Sequence, residues 1–118
     1  MTNQITWAFS GRPATLEEVQ QQVGFGWNTL VKELIAELFS LGWDGKLYQI
    51  KEKFGGLRFY IGEGSDEIHE AIRAAEAYSY KLCEETGKAG ELRRDLGWMR
   101  VLCDDEYAKA KEKKNVQS

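Results

Sequence analysis

The chain has 118 residues, of which 42% are hydrophobic, 12% aromatic and 30% charged, with a formal net charge of −3. Such a composition suits one packed domain and excludes a chain disordered throughout, and the mild acidity excludes a protein that is basic over its whole surface. No apolar run nears the roughly 20 residues of a membrane span, and the polar start Met1-Thr2-Asn3-Gln4 lacks the segments of an export signal, so a cytoplasmic protein without membrane contact is expected.

Pro13 and then Thr15-Leu16-Glu17-Glu18 form a capping-box pattern, which predicts a short helix to about Gln22. Gly24-Phe25-Gly26 interrupts it. From about Asn28, Leu30, Val31, Leu34, Ile35, Leu38 and Phe39 recur at spacings of three and four, the pattern of an amphipathic helix that ends at Gly42. Lys46 to Lys53 then alternates, with Tyr48 and Ile50 expected on one face, and Leu57, Phe59 and Ile61 repeat the alternation after Phe54-Gly55-Gly56. These two runs predict a β-hairpin whose turn uses glycine for positive φ, and whose apolar face must lie on the helices.

Ser65 is the expected N-cap of a long helix from Asp66 to about Glu85, with Ile68, Ala71, Ile72, Ala75, Tyr78 and Leu82 as its buried stripe and Gly87 as its stop. Glu91 to Arg93 and Trp98 to Leu102 predict a second small hairpin around Asp95-Leu96-Gly97. A last helix is expected from about Asp104, loosening through Lys109-Ala110-Lys111-Glu112-Lys113-Lys114. The expected whole is one α+β domain over residues 1–118, with a core over about 13–108 and a flexible tail from about 109. In it, helices pack on one β-hairpin and a small second hairpin stands beside them.

Ile50-Lys51-Glu52-Lys53-Phe54-Gly55-Gly56-Leu57-Arg58-Phe59-Tyr60, followed by Cys83, Gly87, Gly90, Gly97-Trp98 and Leu102-Cys103-Asp104, resembles a family of small uncharacterised proteins of bacteria and their phages. In that family the hairpin precedes a Cys-x-x-Cys-Gly and a Leu-Cys-x-x-Cys or His clip, together similar to a zinc knuckle. Over residues 25 to 107 the resemblance implies metal positions at Cys83, Thr86, Cys103 and Glu106. Here the second position of each pair is Thr86 or Glu106, so the knuckle is degenerate. Zinc wants four ligands and two thiolates hold it poorly, so no cofactor is expected, with Cys83 and Cys103 as the metal residues if any binds. A reducing compartment favours free thiols at both, and buried structural cysteines are the expectation.

Two basic groups are candidate binding residues. In the first hairpin Lys51, Lys53 and Arg58 interleave with Phe54 and Tyr60 around the Gly55-Gly56 turn; cations beside aromatics can follow a phosphate backbone and stack on bases, while lysines at a strand edge also serve to keep it from pairing with other chains. In the second, Arg93, Arg94 and Arg100 flank Trp98, and Arg and Trp are enriched at binding hot spots. The opposing possibility is that Trp98 plugs the second hairpin and the arginines pair with glutamates of the long helix. His69, the single histidine, has no partner at catalytic spacing, and no nucleophile motif is present, so no catalytic residue is assigned. The expected role is a non-enzymatic binding protein of bacterial or phage origin that acts stoichiometrically on a protein partner, as an inhibitor or immunity-type protein does. The alternative is a nucleic-acid-binding module that uses the basic aromatic hairpin.

Overall fold

The computed structural model describes residues 3–117, with side chains through Lys113. Met1, Thr2 and Ser118 lie outside the described residues, and with them the first residues of the expected polar start and the last of the expected tail. Strands β1 (Ile5–Trp7) and β2 (Pro13–Ala14) come first, then helix α1 (Leu16–Gln20), one 3-10 turn (Phe25–Trp27) and helix α2 (Asn28–Ser40). The hairpin β3 (Lys46–Lys53) and β4 (Gly56–Ile61) precedes helix α3 (Asp66–Ser79), a second hairpin β5 (Glu91–Arg93) and β6 (Arg100–Leu102), and helix α4 (Asp104–Gln117). The fold is α+β: a four-stranded mixed sheet in the order β2-β1-β3-β4 and a separate two-stranded one.

Local chemistry accounts for the helix ends. Thr15 Oγ1 accepts from the Glu18 N–H at 3.1 Å while Glu18 Oε1 accepts from the Thr15 N–H at 3.3 Å, closing both halves of the capping box. After α2, Gly42 adopts a φ of 93°, and the Trp43 N–H reaches Leu38 O at 2.9 Å while the Gly42 N–H reaches Phe39 O at 3.1 Å, the double bond of a Schellman stop. That stop turns Trp43 into the core, where it lies 5.0 Å from Phe39 and 5.9 Å from Phe59 between ring centroids. Ser65 Oγ caps α3 by accepting from the Ile68 N–H at 3.2 Å.

One face of the large sheet is covered. Ile5, Leu47, Ile50, Leu57 and Phe59 pack against Val31, Leu34, Ile35 and Leu38 of α2 and Ile68, Ile72 and Ala75 of α3. The expected partnership of Tyr48 with Ile50 is corrected, because the ladder shifts register between Leu47 and Gln49. That bulge sends Leu47 into the core and leaves Tyr48 exposed. Strands β1 and β2 were not expected. Each is too short to show a period, and they exist through tertiary pairing, Thr6 with Lys46 in parallel and Ile5 with Ala14 antiparallel.

The long helix ends at Ser79, short of the expected Glu85. Beyond it the backbone turns extended: Leu82 pairs with Ala89, the Cys83 N–H reaches Lys88 O at 2.7 Å and the Gly90 N–H reaches Lys81 O at 2.9 Å. These bonds win over helical continuation. Gly87, with φ at 80°, closes that loop rather than the helix, and Tyr78 is exposed instead of buried. At the other end the tail expected to be loose is helical through Gln117. Its Ala, Lys and Glu residues favour helix, and acids at its start with lysines further on suit the helix dipole. Among the described residues no helix is long and apolar enough to cross a membrane.

Candidate functional site: a basic aromatic sheet face

Opposite the packed side, the outward rows of the β3–β4 ladder are Gln49 with Tyr60, Lys51 with Arg58, and Lys53 with Gly56. None of these rows holds a carboxylate. Lys51 stands directly across from Arg58, an arrangement of like charges that costs stability in a sheet. Neither Lys51, Lys53, Arg58 nor Arg94 forms an ion pair among the described residues. Instead Lys51, Lys53 and Arg58 each sit by a ring: Lys51 Nζ lies 5.8 Å from the Tyr60 centroid, Lys53 Nζ 5.6 Å from Phe54 and Arg58 Cζ 6.0 Å from Tyr80.

Tyr80 reaches this face from the end of α3. Its ring lies over Gly56, where any Cβ would collide with it, so only glycine admits the approach. Arg58 Nη2 donates to the Tyr80 hydroxyl at 3.1 Å and Arg58 Nη1 to Leu57 O at 2.9 Å. The bond with Tyr80, opposed by partial burial, raises the guanidinium pKa above its ordinary value. Arg58 is thus held in place as a fixed cation.

The hairpin turn is the second part of the site. Phe54 has a φ of 54° and Gly55 one of 86°, positive φ at both central residues as in a type I′ turn, and Phe54 is the only non-glycine with positive φ among the described residues. Glu52 Oε2 accepts from the Gly55 N–H at 2.7 Å and braces the turn. The strained position presents a ring that is 63% exposed. Beside it stand Trp98, 65% exposed, and Met99 and Arg94, all from the segment joining β5 to β6. Two adjoining open depressions, about 550 Å³ and about 700 Å³, share Phe54, Arg94 and Met99 as lining.

Of the expected second group, the structure separates Arg94 and Trp98 from Arg93 and Arg100. Arg93 donates to Leu102 O at 3.1 Å and to Asp104 Oδ1 at 2.8 Å, and its guanidinium carbon lies 4.2 Å from the Tyr107 centroid. Arg100 donates to Glu84 Oε1 at 2.6 Å and Glu85 Oε1 at 2.7 Å. Both arginines therefore tie the second hairpin to its neighbours. Burial pushes the Glu84 carboxyl up, and Arg100 only partly offsets that. Trp98 plugs nothing.

Comparison of the chain with family models, curated proteins and solved structures gives no match.

The cysteines lie away from this face. Cys83 and Cys103 are free and buried, sharing a small core with Leu96, Leu102, Tyr107 and Ala110. Burial opposes ionisation of Cys83, but the Thr86 hydroxyl and the backbone amides of Cys103, Glu85 and Thr86 turn towards the sulfur and lower its pKa overall. The single Thr86 hydroxyl proton is shared between the two sulfurs, with Oγ1 3.8 Å from Cys103 Sγ, and Glu106 pairs with Lys109 at 3.7 Å. Thr86 serves as a hydrogen-bond donor where a third thiolate would be needed, so this donor set does not fit tetrahedral zinc. No group of three or more His, Cys, Asp or Glu able to hold a metal occurs among the described residues. Sequence reasoning missed Tyr80, which reaches the hairpin face from the end of α3 only by folding, and Met99, which stands between the candidates Trp98 and Arg100 but carries neither charge nor ring.

Proposed function

We propose that the protein is a non-enzymatic binding protein that engages an acidic macromolecular partner stoichiometrically, the mode of action of inhibitor and immunity-type proteins. The observation that carries this is Lys51 facing Arg58 across the ladder, neither in an ion pair among the described residues, in outward rows that hold no carboxylate. Placing like charges together in a protein of net charge −3 is a local cost that folding does not require. A partner that brings negative charge to the face would convert the cost into affinity. The whole-chain acidity suits a basic target, but this face suits an acidic one. Phe54 and Trp98 supply the exposed rings that such contacts use as anchors.

The test is retention on an immobilised polyanion such as heparin at neutral pH and low salt. The acidic protein is expected to bind, and Lys51→Glu with Lys53→Glu to elute at clearly lower salt. Passage of the wild-type protein straight through the column would sink this reading.

A further inference from the structure

Resting on that reading, we propose that the acidic partner is a single-stranded nucleic acid, laid across the β3–β4 face and on to the Phe54–Trp98 tip. The argument starts from how the charges are distributed. Three cations of this face each lie beside a separate aromatic ring, Lys51 by Tyr60, Lys53 by Phe54 and Arg58 by Tyr80. Lys51 and Arg58 share one outward row and Lys53 lies in the next, about 6.8 Å along the strand, so the cations form a short track with the rings of Tyr60, Tyr80 and Phe54 beside them. Alternating positive charge and flat rings is what an unpaired strand requires, phosphates on the cations and bases on the rings.

A protein partner explains the same residues less well. Lysine is depleted in the buried centres of protein–protein interfaces, whereas two of these cations are lysines. Duplex DNA fits less well again, because the exposed rings need unstacked bases to meet and a duplex keeps its bases stacked. The track continues beyond the hairpin: Arg94 and Trp98 line the depression beside Phe54, together with Glu52, whose carboxylate is engaged by the Gly55 N–H. Counting Lys51, Lys53, Arg58 and Arg94 gives four phosphate contacts at most. With a slope of about −0.7 per contact on single strands, log affinity should fall against log salt with a slope of about −3.

The measurement is fluorescence anisotropy of labelled ~20-nucleotide oligo(dT) and oligo(U) with the intact protein, against a duplex of the same length. Affinity should fall roughly fifty-fold from about 50 to 200 mM salt. Lys51→Glu with Lys53→Glu should cost at least tenfold and flatten the slope, while Trp98→Ala should cost at least about fivefold with the slope unchanged. Whether dT or U binds more tightly identifies the natural strand. Three results would overturn the proposal: no binding to either oligonucleotide at low salt, duplex binding of equal strength, or binding indifferent to the double charge reversal. Retention on heparin without oligonucleotide binding would reject the nucleic acid and leave the acidic-partner reading standing; loss of both would reject both.

Discussion

Ser79 Oγ accepts a hydrogen bond from the Leu57 N–H at 2.9 Å, tying the last residue of α3 to the outer edge of β4. The same hydroxyl donates to Glu76 O at 2.6 Å, and one turn earlier Glu76 Oε2 accepts from the Phe59 N–H at 2.9 Å. Two edge amides of β4 are thus satisfied by side chains of the helix packed on it. Ser79 is fully buried, so neither partner has water as an alternative.

Ser79→Ala therefore leaves the Leu57 N–H buried without an acceptor. The expected loss is about 1 to 3 kcal/mol, read as a lower urea midpoint with an unchanged slope. A midpoint shift near zero would show that water reaches the amide.

Arg100 and Glu84 form the most buried ion pair between the 82–89 loop and β6. Arg100→Met should cost roughly 3 kcal/mol at neutral pH, because it strands a largely buried carboxylate. The pH dependence has a definite sign. A carboxyl whose folded pKa lies above its unfolded value binds more protons when folded, so its penalty is greatest above the folded pKa and fades as pH falls through it. The variant should recover stability relative to wild type on acidification, and Glu84→Gln added to Arg100→Met should remove that recovery.

Phe54 occupies a left-handed position that Asn prefers ahead of Gly in such a turn. Phe54→Asn is expected to stabilise the fold by about 1 kcal/mol while weakening retention on the polyanion. Thermal melting and the heparin elution position, taken together, check both halves. Loss of stability would mean that the ring packs on Met99 more than its exposure implies.

The thiol core should be indifferent to chelator, with an unchanged melting temperature in EDTA. Thr86→Cys with Glu106→Cys creates two Cys-x-x-Cys pairs, and that double variant is expected to bind one zinc and to melt lower once chelator is added. Failure to take up metal would mean that the first turn of α4 is too far from the 82–89 loop to close a site.

The helices α1 and α2, both hairpins and the inward set Leu57, Phe59 and Ile61 were legible because their signals are local: a capping box, a 3.6-residue stripe, an alternation. Lys51, Lys53 and Arg58 were legible as one surface for the same reason. What could not be read depended on distant partners. Strand β1 is three residues long and acquires its structure from Lys46 and Leu47. The end of α3 is decided by the pairing of Leu82 with Ala89, and the division of the arginines by carboxylates at Glu84, Glu85 and Asp104, none adjacent in the chain. Tyr48 misled because a bulge breaks the alternation on which the expectation rested.

The parallel pairing of Thr6 with Lys46 has a consequence in time. The β3–β4 hairpin closes through a two-residue turn, whereas β1 finds its place only after the intervening chain has folded back, a loop closure whose entropy is not repaid by local contacts. Strand β1 is then the late arrival in folding and the early departure under stress. Amide hydrogens of Thr6 and Ala8 would exchange ahead of those along β3 and β4, and the β3–β4 face would keep its shape while the opposite end of the sheet opens and closes.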